Sequence, residues 1–173
     1  MLDSVDRVLE QWHAVRPDID PSPMGIVGRI QRASRRLEHG LRVQFSGHGL
    51  QLWEFDVLAT LRRAGRLTAG ELVEASMVTS GAMTNRVDRL VARDFVTRHT
   101  DPDNRRSVLI ELTDLGRALI DDMLADHVDN ETGLLASLTP GEQQQLAGLL
   151  RKLLTGLGDV PAERPEAQLS HAG

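Results

Sequence analysis

The sequence predicts a mainly α-helical fold with one small β-wing, and two observations carry this prediction. Apolar residues recur at helical spacing through most of the 173 residues, which indicates amphipathic helices. Between Thr68 and Thr113 the pattern becomes helix, turn, helix, and then two segments of β-rich composition around a polar tip. This order predicts a winged helix-turn-helix, with a wing of two to three short strands and with dimerisation helices on its N- and C-terminal sides.

Three helices are predicted before the helix-turn-helix. The first, over residues 2–16, is short and amphipathic, and prolines at positions 17, 21 and 23 end it. The second spans residues 23–45. The third, over residues 50–64, is so rich in apolar side chains, Trp53 among them, that we expect it to be largely buried. The apolar face of the first helix is formed by Leu2, Val5, Leu9 and Trp12.

Capping residues indicate where the later helices begin. A Thr-x-x-Glu capping box, in which each side chain accepts from the other residue's backbone N–H, is present at 68–71 and again at 139–142. Thr79 or Ser80 is expected to cap the second helix of the helix-turn-helix. Thr113 is expected to cap a long helix that runs to about residue 136.

The terminal helices carry more apolar surface than a small winged unit can cover. The last helix has an uninterrupted leucine stripe at helical spacing, formed by Leu146, Leu149, Leu150, Leu153, Leu154 and Leu157. We therefore expect a homodimer in which the N- and C-terminal helices interleave. A two-fold dimer also matches a palindromic DNA operator with half-sites about one helical turn apart.

These expectations divide the chain into four parts. N-terminal helices occupy residues 1–49, and the winged DNA-binding unit occupies 50–113. C-terminal dimerisation helices occupy 114–157. The remaining segment, 158–173, is rich in Pro, Ala, Glu and Ser and is expected to be disordered.

Composition narrows the class of protein. The net charge is −5, but residues 57–112 carry 9 basic and 7 acidic side chains, whereas residues 113–173 carry 4 and 10. Cysteine is absent, and no apolar run or charged leader suggests a membrane segment, so a soluble cytoplasmic protein is expected. The six histidines lack metal-ligand spacing, and no phosphate-binding loop or nucleophile motif is visible. No metal, cofactor or enzymatic activity is therefore expected.

The second helix of the helix-turn-helix, residues 79–93, is the predicted reading helix, and its side chains form three groups. The inward stripe is Ala82, Met83, Val87, Leu90 and Val91. The polar stripe is Ser80, Gly81, Thr84, Asn85 and Asp88, and the arginine flank is Arg86, Arg89 and Arg93. Small polar residues on the leading turns let a helix approach base edges, and arginines suit phosphates or neighbouring groups. We expect DNA contacts from Ser80, Gly81, Thr84, Asn85, Arg86 and Arg89; the alternative is a solvated helix face.

The predicted wing ends in two arginines, Arg105 and Arg106. An arginine that enters a narrow minor groove gains from the enhanced negative potential there. We therefore expect both to contact DNA. The alternative is a solvated turn in which one arginine pairs with Asp101 or Asp103.

The segments SGAMTNRVDRL and FVTRHTDPDNRRSVLIELTDLG resemble the reading helix and wing of the MarR family of bacterial transcription regulators, over about residues 23–157. The resemblance implies a dimeric winged-helix DNA-binding regulator. Most members have Asp at the position of Asn104, where it braces the arginine at the position of Arg106. Asn104 keeps a hydrogen-bond acceptor without the charge, which implies a looser wing here, or a substitute brace from Asp103.

Two further segments, WHAVRPDIDPSPMGIVGRI and LQLWEFDVLATLRRAG, resemble the urate-responsive branch of that family, which has an extra N-terminal helix. The resemblance implies an effector site formed by Trp12, Asp56, Arg86 and Arg98. Arg86 would bind a flat anionic purine through its planar fork, and Trp12 would offer its indole. Asp56 would be repelled by the anion, and release of a pair between Asp56 and Arg98 would move the reading helix.

Simpler interpretations of the same four residues stay open. Trp12 can be an anchor for the first helix, Asp56 and Arg98 can form a static ion pair, and Arg86 can contact phosphate alone. The effector can equally be a phenolic or other aromatic acid. A dimeric winged helix that binds a protein rather than DNA is the alternative of a different class, because the net charge is negative.

Overall fold

The computed structural model of the chain describes residues 2–76 and 79–160. Within these ranges the elements are α1 Ser4–Val15, α2 Ser22–Gly47, α3 Leu52–Ala64, β1 Leu67–Thr68, α4 Ala69–Ser76, α5 Ser80–Ala92, β2 Val96–Thr100, β3 Val108–Leu112, α6 Asp114–Leu134 and α7 Pro140–Gly156. The fold is mainly helical with one small sheet, as predicted. Of the segment expected to be disordered, residues 161–173 lie outside the described residues.

The sheet is a three-stranded antiparallel wing in the order β1-β3-β2. The register pairs Arg98 of β2 with Ile110 of β3, and Leu67 of β1 with the same Ile110. The composition of β2 and β3 predicts them correctly. β1 has two residues, too few to show an alternating pattern, and it forms because β3 offers it a free edge.

The predicted caps are present. The box at 68–71 has both of its hydrogen bonds, and so does the box at 139–142. Thr79, rather than Ser80, caps α5, since its side chain accepts from the backbone N–H of Ala82. The hydroxyl of Thr113 accepts from the N–H of Gly116 and so begins α6. These are local interactions, which is why the sequence alone predicts them.

The core lies where α3, α5, α6 and the wing meet. The reading helix α5 contributes Met83, Val87 and Leu90, each at most 1% exposed. Ala82 and Val91, which the helical projection assigned to the inward stripe, are exposed instead. The three buried positions follow a narrow i, i+4, i+7 line, and the two exposed residues lie beside this line rather than on it.

The extra N-terminal helix α1 packs on α2. Arg29 of α2 donates to Asp3 through Nε at 2.8 Å and also pairs with Asp6. Val5 is 4% exposed, and Leu9 lies directly over Gly25 of α2. A small residue at position 25 therefore lets the two helices approach closely.

The chain divides into two compact units between Leu134 and Leu135. In the second unit, α7 buries none of its residues. The leucine stripe predicted on this helix is 36% to 74% exposed at Leu146, Leu149, Leu150, Leu153, Leu154 and Leu157. A continuous apolar stripe of this kind is rarely left open to water, so another surface is expected to cover it.

Candidate nucleic-acid interface and adjoining cleft

The leading turns of the reading helix are open to solvent. Ser80, Gly81, Thr84 and Asn85 are all exposed. A Cβ placed on Gly81 would meet no atom within 4 Å, so nothing in the described part of the chain obstructs an approaching surface there. Thr84 donates its hydroxyl to the carbonyl of Ser80 at 3.1 Å. The hydroxyl is thus held along the helix, and the surface that faces outward consists of small side chains and one amide.

The wing tip presents both arginines to solvent. Arg105 and Arg106 are exposed, and within the described residues neither guanidinium lies in an ion pair. Asn104 accepts from the backbone N–H of Arg106 at 3.2 Å, and Asp101 accepts from the N–H of Asp103 at 2.9 Å. The tip is therefore shaped by side-chain to backbone bonds, and both arginine side chains are available to an external partner.

The arginine flank of α5 rests against the first turn of α3. The guanidinium carbons of Arg86 and Arg89 lie 5.5 Å and 5.0 Å from the centroid of the Trp53 ring. Arg93 lies over the ring of Phe95 at 4.6 Å. Guanidinium groups over aromatic faces are attracted by the ring quadrupole. All three arginines therefore have a protein neighbour as well as any contact they make to a nucleic acid.

An ion pair between a buried carboxylate and a partly exposed arginine holds the end of the reading helix. Glu54 is 2% exposed, and Arg93 donates to it at 2.8 Å and to the carbonyl of Gly49 at 3.1 Å. The backbone N–H of Gln51 donates to the other carboxylate oxygen of Glu54. A buried carboxylate without such partners would be strongly destabilising. Arg93 thus holds the C-terminal end of α5 against α3.

An open cleft of about 510 Å³ lies between α2, α3 and the reading helix. We call it the α3 cleft. Its charged lining consists of Glu38 and Arg42 from α2, Asp56 from α3 and Arg86 from α5, and Trp53 provides its aromatic wall. Arg42 already pairs with Glu38, whereas Arg86 is in no ion pair within the described residues. The guanidinium of Arg86 and the ring of Trp53 therefore suit a small planar ligand that carries negative charge.

Asp56 and Arg86 interact across this cleft. Asp56 is exposed on one side. Burial of the rest of its side chain raises the pKa of the carboxyl above the ordinary value. The positive charge of Arg86, and then that of Arg63, opposes this rise of the pKa without cancelling it. The carboxylate in the cleft is therefore less well solvated than a free aspartate when it is charged.

Comparison with known proteins places the chain among transcriptional regulators. PecS, an HTH-type transcriptional regulator from Dickeya dadantii, is 37% identical over 152 residues, which cover 86% of this chain and 92% of PecS. The profile of the MarR family matches residues 50–108. The chain belongs to the MarR family. As a member of that family it is a DNA-binding transcriptional regulator and not an enzyme.

Solved MarR-family structures have the same fold. A mutant of MarR from E. coli in complex with operator DNA gives a TM-score of 0.70 at 29% identity, covering 83% of this chain and 97% of that one. BpsR from Bordetella bronchiseptica, whose DNA binding is regulated by 6-hydroxynicotinic acid, gives a TM-score of 0.68 at 28% identity. The match covers 74% of this chain and 97% of the BpsR chain. AbsC from Streptomyces coelicolor, a MarR family regulator, gives a TM-score of 0.75 at 19% identity, covering 82% of this chain and 98% of the AbsC chain. At this identity the likeness shows the fold alone.

The wing of this MarR-family chain differs from the usual pattern at Asn104. Its side-chain oxygen accepts from the backbone N–H of Arg106, so it shapes the turn and does not hold the guanidinium. Within the described residues, the carboxylate of Asp103 forms no hydrogen bond or ion pair with Arg106, so Asp103 does not replace the usual brace. Of the two alternatives left open by the resemblance, a less restrained Arg106 side chain agrees with these contacts.

Two of the four residues implied as an effector site meet, and two lie elsewhere. Asp56 and Arg86 line the α3 cleft. The pair expected between Asp56 and Arg98 is wrong for this structure: Arg98 pairs with Asp88 of the reading helix at 2.6 Å. The sheet register places Arg98 on β2, which packs beside α5 rather than beside α3. Trp12 is 38% exposed on α1 and is not part of the cleft lining within the described chain.

The sequence did not identify Trp53 as part of this site, nor Glu38 and Arg42. Trp53 was expected in a largely buried helix, but its ring is half-buried and its indole N–H donates to the side chain of Gln51. One signal was available, since Trp53 and Asp56 are three residues apart and therefore neighbours on one helix face. Which element that face meets depends on packing between α3 and α5, which periodicity does not reveal.

Over residues 2–76 and 79–160, no group of three or more His, Asp or Glu side chains is arranged to hold a metal ion. No helix in the same ranges is long and apolar enough to cross a bilayer.

Replacement of Asp56 by asparagine is expected to stabilise the protein at neutral pH. The pKa of Asp56 is raised in the folded state. Its favourable contribution to the free energy of unfolding is therefore complete below the ordinary carboxyl pKa of 3.8, and it is lost as the pH rises through the raised pKa. Asp56→Asn should therefore gain free energy of unfolding relative to wild type between about pH 4 and about pH 7. Urea unfolding of both proteins at a series of pH values measures this difference. A difference that does not vary with pH would contradict the expectation.

Proposed function

We propose that this regulator is a homodimeric repressor that a small planar anion releases from its operator, with urate or a related purine as the effector to test first. The observation that carries the effector proposal is the α3 cleft, in which Arg86 of the reading helix faces Asp56. An occupant of that cleft touches the DNA-binding element itself. No bound cofactor is proposed.

The dimer is supported by the apolar surfaces that the single chain leaves exposed. The stripe on α7 is one of them. Another lies on the N-terminal helices, where Val8, Trp12, Met24, Ile26 and Val27 are 38% to 62% exposed. Two identical chains can cover such surfaces on each other, and the resulting two-fold axis would place two reading helices on a palindromic site.

The charges in the cleft support an anionic effector. A planar anion can accept bidentate hydrogen bonds from the guanidinium of Arg86 and can stack on Trp53. The same anion would be repelled by the carboxylate of Asp56. Because Asp56 and Arg86 attract each other in the free protein, an anion that takes over Arg86 removes that attraction. The reading helix then loses an electrostatic attraction to α3, which favours release of DNA.

Aromatic acids form the alternative class of effector, and one comparison favours them. The DNA binding of BpsR, which has the same fold, is regulated by 6-hydroxynicotinic acid. That compound and urate share a flat nitrogen-containing ring and an acidic group, so the α3 cleft suits both. The experiment must therefore compare the two classes directly.

The test is a titration of urate, xanthine, 6-hydroxynicotinate and salicylate into the protein bound to a duplex that it selects from a random pool. Saturable release by urate at the lowest concentration supports the purine proposal, whereas release by an aromatic acid alone reassigns the effector. If none of the four releases DNA, the effector proposal fails. Sedimentation of the free protein tests the dimer, and a monomer at micromolar concentration contradicts it.

A reporter gene placed behind the selected duplex tests repression separately. Expression of the protein should lower the reporter signal, and the active effector should restore it. A rise on expression of the protein alone would identify an activator instead. Asp56→Asn is the informative variant for release, because it removes the repulsion without removing a DNA contact. Trp12→Phe tests whether the resemblance assigns that residue correctly.

A further inference from the structure

We propose that Trp53 is a positioning residue that couples the α3 cleft to the reading helix. Its ring supports the guanidinium planes of Arg86 and Arg89, and a planar anion in the cleft competes with Arg86 for that ring. The part that concerns the effector rests on the proposed function above. The part that concerns DNA does not.

The first step is the geometry of the two arginines. Both guanidinium carbons lie within 5.5 Å of the centroid of one indole ring. Arg86 and Arg89 are three residues apart on α5, so they project from one side of the helix. One tryptophan ring therefore contacts two arginines of the helix that is predicted to read DNA.

The second step is what such a contact does to an arginine. A guanidinium group that lies over a ring uses its flat face, and its N–H donors stay free at the edges. The long side chain loses rotational freedom in the folded protein before DNA arrives, so less is lost on binding. Arg89 is exposed, which leaves its donors accessible. Trp53 thus directs the donors of Arg89 outward from the flank of the reading helix, where phosphates would lie, and holds half-buried Arg86 between the cleft and that flank.

The third step is the position of the ring itself. Trp53 contacts the arginine flank and also lines the α3 cleft, next to Asp56. Its backbone is held by the turn of α3 in which buried Glu54 pairs with Arg93. The backbone of Trp53 is therefore held in place, and its ring lies between the cleft and the DNA-binding face. A flat ligand in the cleft that stacks on this ring and binds Arg86 takes that arginine away from its DNA-binding orientation.

The test uses Trp53→Ala, Trp53→Phe and Trp53→Leu, with Leu52→Ala as the matched control. Leu52 precedes Trp53 in the same wall of the cleft but has no aromatic ring. DNA affinity is measured as a function of salt, because each lost phosphate contact lowers the slope of log affinity against log salt by about one. If Trp53 only supported the fold, its replacement would lower the DNA affinity and leave the slope of log affinity against log salt unchanged.

Without effector, Trp53→Ala should bind the selected duplex about tenfold more weakly, with a shallower salt dependence. Trp53→Phe should recover most of the slope, because phenylalanine keeps a ring. Leu52→Ala should keep the wild-type slope. Where Trp53→Ala does not fold, Trp53→Leu carries the same expectation. A wild-type slope in a folded variant that lacks the ring would overturn the DNA part of the proposal.

With the effector that releases wild type, the ringless variants should need about tenfold more ligand for half-release, and Trp53→Phe should need less than they do. If wild type is released and the ringless variants are released at the same concentration, the coupling role of Trp53 is wrong while the effector proposal stands. If wild type is not released by any tested anion, the effector proposal fails together with the effector role of Trp53. The salt-slope result is then judged separately.

Discussion

Gly116→Ala should destabilise the folded protein by about 3 kcal/mol, within the upper range for forcing extra atoms into a packed site. A Cβ at this position would lie 2.0 Å from the backbone carbonyl oxygen of Phe95 and 2.9 Å from the carbonyl carbon. Neither atom belongs to a side chain that can rotate away. The same carbonyl accepts from the N–H of Thr113 at 3.1 Å. A shift that relieves the overlap therefore disturbs the junction between the wing and α6.

The matched control is Gly133→Ala in the same helix. A Cβ there would meet nothing within 4 Å, and alanine has a better helix propensity than glycine by up to about 1 kcal/mol. Urea unfolding at one fixed protein concentration compares both variants with wild type, since dimer stability depends on concentration. Equal stability of Gly116→Ala and wild type would mean that the start of α6 is not held against Phe95.

Removal of both wing arginines should weaken DNA binding with little effect on folding. Arg105→Ala with Arg106→Ala removes two exposed guanidinium groups that have no ion-pair partner within the described chain. An arginine that contacts DNA is worth about 1–3 kcal/mol of binding free energy, and each lost phosphate contact also lowers the salt slope by about one. Because the tip buries almost nothing, unfolding of the variant should match that of wild type.

The matched control replaces the same two residues by lysine. Lysine keeps the charge but lacks the planar fork, so it should restore contacts to phosphates better than it restores insertion into a narrow minor groove. Affinity titrations at several salt concentrations separate these contributions. Unchanged affinity of the double alanine variant would place the wing away from DNA. Loss of the folded dimer would show that the tip has a structural role.

Local patterns in the sequence predicted most of the elements. The helices follow from apolar spacing, and their starts follow from capping boxes whose partners are three residues apart. The open leading turn of α5 follows from Ser80 and Gly81, and the exposed wing tip follows from its polar composition. In each case the interacting groups are close along the chain, so the sequence itself contains the relevant distance.

Partners that are distant along the chain were predicted less well. Arg98 was expected to meet Asp56 but pairs with Asp88, because β2 runs beside the reading helix. The helical projection places Arg93 on a flank that can meet either phosphates or neighbouring groups. In the structure, Arg93 pairs with buried Glu54. Both outcomes depend on the packing of α3, α5 and β2. One sequence carries no direct signal for such distances.

The sequence by itself determined that this protein has a winged helix-turn-helix with polar leading turns and an arginine-tipped wing, because helix periodicity, caps and turns are short-range. Only the tertiary structure decided which charges face each other and that Trp53 stands between a cleft and two arginines. The physical reason is that an ion pair or a stacked ring requires atoms within a few ångströms. That proximity arises only when α3 and α5 pack around the common core.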